Sequence, residues 1–270
     1  MSRQRGSPAP LACMVAIVVW TWAWLAIAVL TGQPWLAFPT VLFTLAGFLG
    51  PVVVPSGFIL AGRWHEPLGV FWRRCLDPTT LPVRWWAIVV GLVAALVMVP
   101  VVLTPGVTLS ITAGPVAFLV VGMTAGAVEE PAWRGYGQAG LQRRLPVVVA
   151  SLVVGALWAA WHLPMFWLEG TYQHGLGIGT SGFWTFLAVL VVSSPIYAWL
   201  LNASGQVVFA AVLLHAVGNL GAELIADAGA DSLVLGVTAA VAVLLVAACW
   251  RWMRNPSPVR RIRQHIDRGP

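Results

Sequence analysis

Residues 83–104 read VRWWAIVVGLVAALVMVPVVLT, a stretch in which Arg84 is the one charged side chain and nearly every other residue is apolar. A helix needs about 20 such residues to cross the hydrocarbon core of a bilayer. The whole chain follows this pattern, since 59% of its 270 residues are hydrophobic and only 9% are charged. A soluble domain of this length needs far more charge to cover its surface. The sequence therefore predicts an all-α, polytopic membrane protein.

Seven further apolar stretches occur, and most of the connections between them carry Gly, Pro, Ser or Asn, which are typical of turns. The stretch nearest the N-terminus, residues 11–31, is longer than the apolar region of a signal peptide, so we interpret it as a retained anchor. The sequence thus predicts one membrane domain, residues 1–270, with a basic tail, residues 251–270. The eight predicted spans are 11–31, 39–61, 83–104, 115–141, 147–168, 182–201, 207–221 and 232–250.

All fifteen basic side chains are arginines, and the formal net charge is +6. With eight spans, fourteen of these arginines fall on one side of the membrane: Arg3, Arg5, Arg63, Arg73, Arg74, Arg84, Arg143, Arg144, Arg251, Arg254, Arg260, Arg261, Arg263 and Arg268. The opposite connections are neutral or acidic. By the positive-inside rule, the arginine-rich side and both termini are cytoplasmic. We therefore expect a multi-pass protein of the inner membrane whose basic side chains serve topology rather than nucleic-acid binding.

The remaining arginine, Arg134, lies inside the fourth span with Glu129 and Glu130. Each charge within a span costs about 2.5–3.5 kcal/mol on insertion scales, so such groups persist only when they are paired or line a wet cavity. Glu130 and Arg134 are four residues apart and can form an ion pair on one helix face. Glu129 points about 100° away from that face. Pro131 cannot donate to the carbonyl of Ala127, so a kink is expected here.

Polar side chains also occur in two other spans. His162 lies in the fifth span, and His215 and Asn219 lie four residues apart, on one face of the seventh. At about 1.5 Å per residue, their depths are compatible with that of Glu129 and Glu130. The sequence therefore predicts one intramembrane site formed from three spans.

Such a set of side chains permits two kinds of hydrolysis. Glu129, His162 and His215 can bind Zn²⁺ and leave a position for water. Alternatively, Glu129 acts as a general base on water without a metal, while the histidines and Asn219 orient the water or stabilise an oxyanion. In both versions Arg134 holds Glu130 ionised. The residues alone leave the choice open.

At these positions the chain resembles the CAAX prenyl endopeptidase and bacteriocin-processing (CPBP) family of intramembrane proteases. The family's first and third motifs occur intact, and the second has Trp158 where the family usually carries Phe. The resemblance covers about residues 115–221. It implies an all-helical catalytic core, with the first Glu and the two His at its centre. The three motifs here are Glu129-Glu130-Pro131-Ala132-Trp133-Arg134, Trp158-Ala159-Ala160-Trp161-His162 and His215-Ala216-Val217-Gly218-Asn219.

The resemblance predicts an endopeptidase that acts on a membrane-associated protein or peptide. Two alternatives stay open: a non-catalytic scaffold or bacteriocin-immunity protein of the same fold, and a proton-coupled transporter in which the carboxylates and histidines relay protons. A rhomboid-type serine protease would use Ser181, but that residue falls at the outer end of its span, far in depth from His215. The His-Glu-x-x-His motif of zinc proteases is absent.

Overall fold

The computed structural model describes residues 9–104, 115–224 and 231–256. These ranges are helical with short connections, and no strand occurs within them, which confirms the predicted all-α class. Arg3, Arg5 and the tail beyond residue 256 lie outside the described residues. The remaining arginines on which the predicted sidedness rests lie within them.

Short helices and turns alternate with long apolar helices. A π-helical segment, Pro131–Gln138, joins α6 to α7, and a 3-10 turn, Leu163–Trp167, extends α8. The helices are α1 (Ala9–Leu30), α2 (Thr40–Phe48), α3 (Gly50–Leu60), α4 (Leu68–Leu76), α5 (Val83–Leu103), α6 (Pro115–Glu130), α7 (Ala139–Leu141), α8 (Val147–His162), α9 (Tyr172–Leu176), α10 (Ser181–Ala203), α11 (Val208–Leu224), α12 (Asp231–Ala248) and α13 (Trp250–Met253).

The predicted number of eight spans is not confirmed. By length and composition, 4 helices within the described ranges can cross a membrane alone, and α2 with α3 makes up to 5 when this bent pair is taken as one span. Two shorter apolar helices cover Val208–Gly221 and Leu233–Ala248. The predicted fourth span is not one continuous α-helix, because α6 ends at Glu130 and the chain continues as a π-helix. The count of eight therefore stays a prediction.

The second predicted span is broken at Leu49, where α2 and α3 meet at 47°. Pro51 has no N–H group and cannot bond to the Gly47 carbonyl four residues earlier. The Thr21 hydroxyl of α1 donates to that carbonyl instead, at 2.8 Å. A Cβ at Gly50 would lie 2.7 Å from the Thr21 Oγ1, so only glycine allows this approach. A polar side chain of α1 thus satisfies the backbone at the break.

The centre of the molecule is formed by two tightly packed helix pairs, α6 with α11 and α8 with α10. α5 and α12 pack on the outside of these pairs, while α1 lies against α8 and the α2–α3 pair. Glycine permits the close approach in both pairs. A Cβ at Gly126 would lie 2.8 Å from the Val212 carbonyl oxygen, and one at Gly155 would lie 2.6 Å from the Ser194 Oγ. These pairs bring the predicted polar residues together.

The connections between helices fall into two sets, and contacts occur within each set. These are the two sets that the arginine pattern predicts. On the arginine-rich side, the guanidinium of Arg143 lies 5.1 Å from the Trp64 ring centroid, and the Val147 N–H donates to the Asn255 carbonyl at 3.2 Å. On the other side, the Trp35 N–H donates to the Glu169 carbonyl at 2.9 Å. These contacts support the grouping of the connections. Which set faces the cytoplasm stays a prediction.

Candidate active site

The last turn of α6 and the π-helical segment carry the two carboxylates and the arginine. Glu129 and Glu130 are the last two residues of α6, and residues 131–138 are all buried. The Ala139 N–H bonds to the Arg134 carbonyl, five residues earlier, as in a π-helix. The break predicted at Pro131 thus takes the form of a widened helix. Such bulges are frequent at functional sites.

Both oxygens of Glu130 are occupied. The Arg134 Nε donates to Glu130 Oε2 at 3.1 Å, which is the ion pair expected from their spacing. The His215 Nδ1 lies 2.8 Å from Glu130 Oε1. Glu130 and Arg134 are both fully buried. Glu130 is therefore held by two partners and orients the imidazole of His215 from α11.

Arg134 is enclosed by Trp158 of the second motif and by two side chains that the motifs do not include. Both terminal nitrogens of its guanidinium lie 3.4 Å from the Ser194 Oγ. Its central carbon lies 4.4 Å from the Tyr197 ring centroid and 5.0 Å from that of Trp158, within the range of cation–π contacts. α8 and α10 thus provide the buried charge with a hydroxyl and two aromatic faces.

Glu129 has a different environment from its neighbour. The indole Nε1 of Trp158 donates to Glu129 Oε2 at 2.7 Å. No hydrogen bond from the described part of the chain reaches Glu129 Oε1. The side chain is nearly buried, at 7% exposure. Glu129 therefore has one fixed oxygen and one oxygen that is available to a bound water.

The two histidines both contact the same indole, that of Trp158. The ring centroids of His162 and His215 lie 5.9 Å and 5.7 Å from that of Trp158. The His162 Nδ1 lies 2.8 Å from the Trp158 carbonyl oxygen, and because a carbonyl only accepts, this nitrogen carries a hydrogen. Since Glu130 engages the Nδ1 of His215, both imidazoles keep their Nε2 atoms for another partner.

Asn219 lies one turn beyond His215 on α11 and is half-buried. It makes no hydrogen bond with any side chain within the described ranges. Its link to the other predicted site residues is therefore only its position on the same helix as His215. The predicted site residues thus differ in how they are connected. Glu129, Glu130, Arg134, His162 and His215 are linked directly or through Trp158, and Asn219 is not.

Zinc binding by Glu129, His162 and His215 finds no support in this arrangement. Within the described ranges, no group of three or more His, Cys, Asp or Glu side chains is placed to hold a metal ion. The residues therefore do not fit a three-ligand metal site as they stand. Zinc binding remains a prediction from the sequence.

Three residues of the group were missed, wholly or in part, from the sequence. The sequence identifies Trp158 only as a replacement for the usual Phe of the second motif, whereas its N–H is the hydrogen-bond donor to Glu129. Ser194 and Tyr197 were not identified at all. Their signal was a polar interruption of an apolar span beside Pro195, but the sequence does not reveal which distant charge such groups contact.

Fold and site together define a class: an all-helical membrane protein with buried carboxylates, imidazoles and an arginine at the meeting of its central helices. Residues 111–221 match the family model described as "Type II CAAX prenyl endopeptidase Rce1-like". The chain is also 24% identical over 201 residues to CAAX prenyl protease 2 of Methanococcus maripaludis, covering 68% of this chain and 73% of that protein. These matches confirm the resemblance: the segment that carries the three motifs is similar to CAAX-type prenyl endopeptidases.

Proposed function

We propose that the protein is an intramembrane endopeptidase that hydrolyses a peptide bond with water activated by Glu129. The observation that carries the proposal is the difference between two adjacent carboxylates. Glu130 is bonded on both oxygens, whereas Glu129 keeps Oε1 available, and the two imidazoles that contact its partner Trp158 keep their Nε2 atoms available. A general base needs an accessible lone pair within hydrogen-bond reach of the water. Of the two carboxylates, only Glu129 meets this requirement.

The proposed reaction has two steps. Glu129 Oε1 takes a proton from water as the water oxygen bonds to the carbonyl carbon of the peptide. The resulting tetrahedral intermediate then collapses, its C–N bond breaks, and the leaving nitrogen takes the proton from Glu129. The carboxylate is thereby regenerated, and the net change is the addition of one water across one amide bond.

The histidines and Asn219 are proposed to orient the reactants. One hydrogen of the attacking water points to Glu129 Oε1, and the Nε2 of His162 or of His215 accepts the other, so that the water is held next to Glu129. We propose that the amide NH₂ of Asn219, which has no hydrogen-bond partner within the described part of the chain, donates to the developing oxyanion. Arg134 acts indirectly, because it fixes Glu130 and Glu130 in turn fixes His215.

The proposed substrate class is a membrane-associated protein or peptide, and the proposed location is the inner membrane. The archaeal relative is named a CAAX prenyl protease. For this chain we propose only the broader class, because the described residues do not reveal a particular substrate group. The site itself is nearly closed, since Glu129, His162 and His215 are each 7% exposed. A substrate segment must therefore enter between helices to reach it.

The direct test is a survey of new protein N-termini in membranes of the native host. It compares the wild-type protein with Glu129→Gln and His162→Ala at matched expression. Glu66→Gln is the control, because Glu66 is a carboxylate of the α3–α4 connection, remote in sequence from the motifs and paired with Arg74. We expect a set of N-termini that disappears in the first two variants and persists in the control.

Identical surveys for all four proteins, each folded in the membrane, would contradict the protease proposal. The non-catalytic scaffold would then be favoured. A phenotype that follows the proton gradient, with no change in N-termini, would instead favour the transporter.

The role of a metal has its own measurement. If Glu129 activates water without zinc, dialysis against a chelator leaves the cleavage rate of the purified protein unchanged, and the zinc content stays well below one ion per chain. Loss of cleavage that only added zinc restores would contradict this form of the mechanism. It would leave the peptidase assignment intact.

A further inference from the structure

Trp158 is the aromatic residue around which the site is arranged. It lies on α8, one turn before His162, and is 4% exposed. Its indole N–H donates to Glu129, the Arg134 guanidinium lies over its ring, and the ring contacts both imidazoles. A side chain that served only to fill space would not need to combine these contacts.

The hydrogen bond from Trp158 depends on the identity of the aromatic residue. Indole has an N–H donor, whereas the side chain of Phe, the usual residue at this position in the CPBP motif, has none. At 2.7 Å, the bond is short, and it ends on a nearly buried carboxylate. Hydrogen bonds to charged groups are about twice as strong as neutral ones. This chain therefore has a contact to its proposed base that the usual motif cannot make.

We infer that Trp158 is a positioning residue that fixes the Glu129 carboxylate by holding Oε2 and leaving Oε1 directed to the reacting water. The same indole also packs against the imidazoles of His162 and His215, so one rigid side chain contacts Glu129 and both histidines. The catalytic part of this inference rests on the proposed function. The contact itself does not.

Two other indole N–H groups donate to uncharged acceptors, unlike that of Trp158. The Trp161 Nε1 donates to the Thr21 hydroxyl at 2.7 Å, and the Trp20 Nε1 donates to the Ala46 carbonyl at 2.8 Å. Both acceptors belong to helix–helix contacts with α1 or α2 and carry no charge. Trp20→Phe therefore removes a similar donor outside the site and provides a matched control for Trp158→Phe.

The contact is tested first without any enzymatic assay. The protein is labelled with ¹⁵N at its indole nitrogens, and Trp158→Phe identifies the Trp158 N–H resonance by its disappearance. A bond to a carboxylate places that resonance downfield, and Glu129→Gln is expected to move it upfield, while Trp20→Phe leaves it in place. An unchanged Trp158 resonance in Glu129→Gln would overturn the inference. If Trp158→Phe does not fold, the wild-type and Glu129→Gln spectra still test the contact. The inference then requires that one downfield indole resonance of the wild-type protein moves upfield in Glu129→Gln.

The functional part is tested with a peptide that spans a cleavage site found in the survey of N-termini. Loss of a hydrogen bond to a charged group corresponds to a factor of about ten to a hundred. We expect kcat of Trp158→Phe to fall by that factor with KM nearly unchanged, and Trp20→Phe to cleave at the wild-type rate. Wild-type kinetics in Trp158→Phe would overturn the inference and leave the proposed function standing. A wild-type protein that cleaves nothing would instead remove the proposed function, and the NMR result would still decide the contact.

Discussion

Glu130 and Arg134 form an ion pair from which water is excluded, and its energetics differ from those of a surface pair. Removing one partner of a buried pair leaves an uncompensated charge and costs about 3–5 kcal/mol. We therefore expect Arg134→Met to lower the thermal stability of the purified protein strongly. His215 remains as a partner of Glu130, so the loss should lie at the lower end of that range. Thermal unfolding in detergent, followed by near-UV circular dichroism, measures it.

The control is the partly exposed pair of Arg74 and Glu66, whose closest atoms are 2.7 Å apart. Burial acts to raise the pKa of Glu66, but hydrogen bonds from Arg74 and Trp64 outweigh it, so the pKa lies below its usual value. Exposed pairs contribute about 0–1 kcal/mol, so Arg74→Met should have a small effect. That contribution is present at neutral pH and is lost as the pH falls through the lowered pKa. Equal destabilisation by Arg74→Met and Arg134→Met would contradict the prediction.

At the scale of residues, the sequence predicts local pairs and not distant ones. The spacing of Glu130 and Arg134 is enough to predict their ion pair, because positions four apart share a helix face. The bonds from His215 to Glu130 and from Trp158 to Glu129 join residues 85 and 29 positions apart. The depth of a residue along its span limits which distant residues it can contact, but it does not determine which atoms form the hydrogen bond. That depends on how the helices are rotated about their axes.

At the scale of elements, the closeness of α6 and α11 determines whether the site exists. A Cβ at Gly126 would meet the Val212 carbonyl oxygen at 2.8 Å and the His215 Cβ at 3.3 Å, and one at Gly122 would meet the Ala216 carbonyl oxygen at 2.9 Å. Small residues at four-residue spacing are a common device of helix packing in membranes. Because backbone atoms cannot yield as a flexible side chain does, we expect Gly126→Ala to separate the helices and destabilise the protein by about 1–3 kcal/mol.

The matched substitution is Gly57→Ala in α3, where a Cβ would meet nothing within 4 Å. Alanine favours helix over glycine by about 1 kcal/mol, so this variant should be as stable as the wild type or slightly more stable. Thermal unfolding compares the two variants. Cleavage should fall in Gly126→Ala alone, because His215 moves away from Glu130. A Gly126→Ala protein with wild-type stability and activity would show that the two helices can adjust.

The sequence predicts the helix boundaries near the site less well than the other features of the fold. Residues 115–141 read as one span with a kink, whereas the structure has α6, a π-helical segment and α7. Apolar pattern and proline position reveal that the helix is interrupted. They do not distinguish a bend from a widened turn, since the latter depends on what packs against it. Here residues 131–138 are all buried against neighbouring helices, which stabilises the irregular backbone.

At the scale of the whole molecule, the two faces of the bundle provide a prediction of orientation. The connection that contains Gln33 contacts the one that contains Glu169, and the connection between α3 and α5 contacts Arg143. Arginines are concentrated on the second face, so by the positive-inside rule Gln33 lies outside the cytoplasm and Thr80 lies inside it. Both residues are exposed and suit single-cysteine labelling.

The measurement uses Gln33→Cys and Thr80→Cys in a Cys249→Ala background and a membrane-impermeant maleimide. Cys13 and Cys75 are buried and can stay in place, because the reagent does not reach them in the folded protein. We expect Gln33→Cys to be labelled on intact spheroplasts and Thr80→Cys to be labelled only after the membrane is opened. The reverse pattern would invert the topology and place the arginine-rich face outside. Labelling of both positions from the same side would contradict the two-face arrangement itself, and with it the depth argument that brought α6, α8 and α11 to one site.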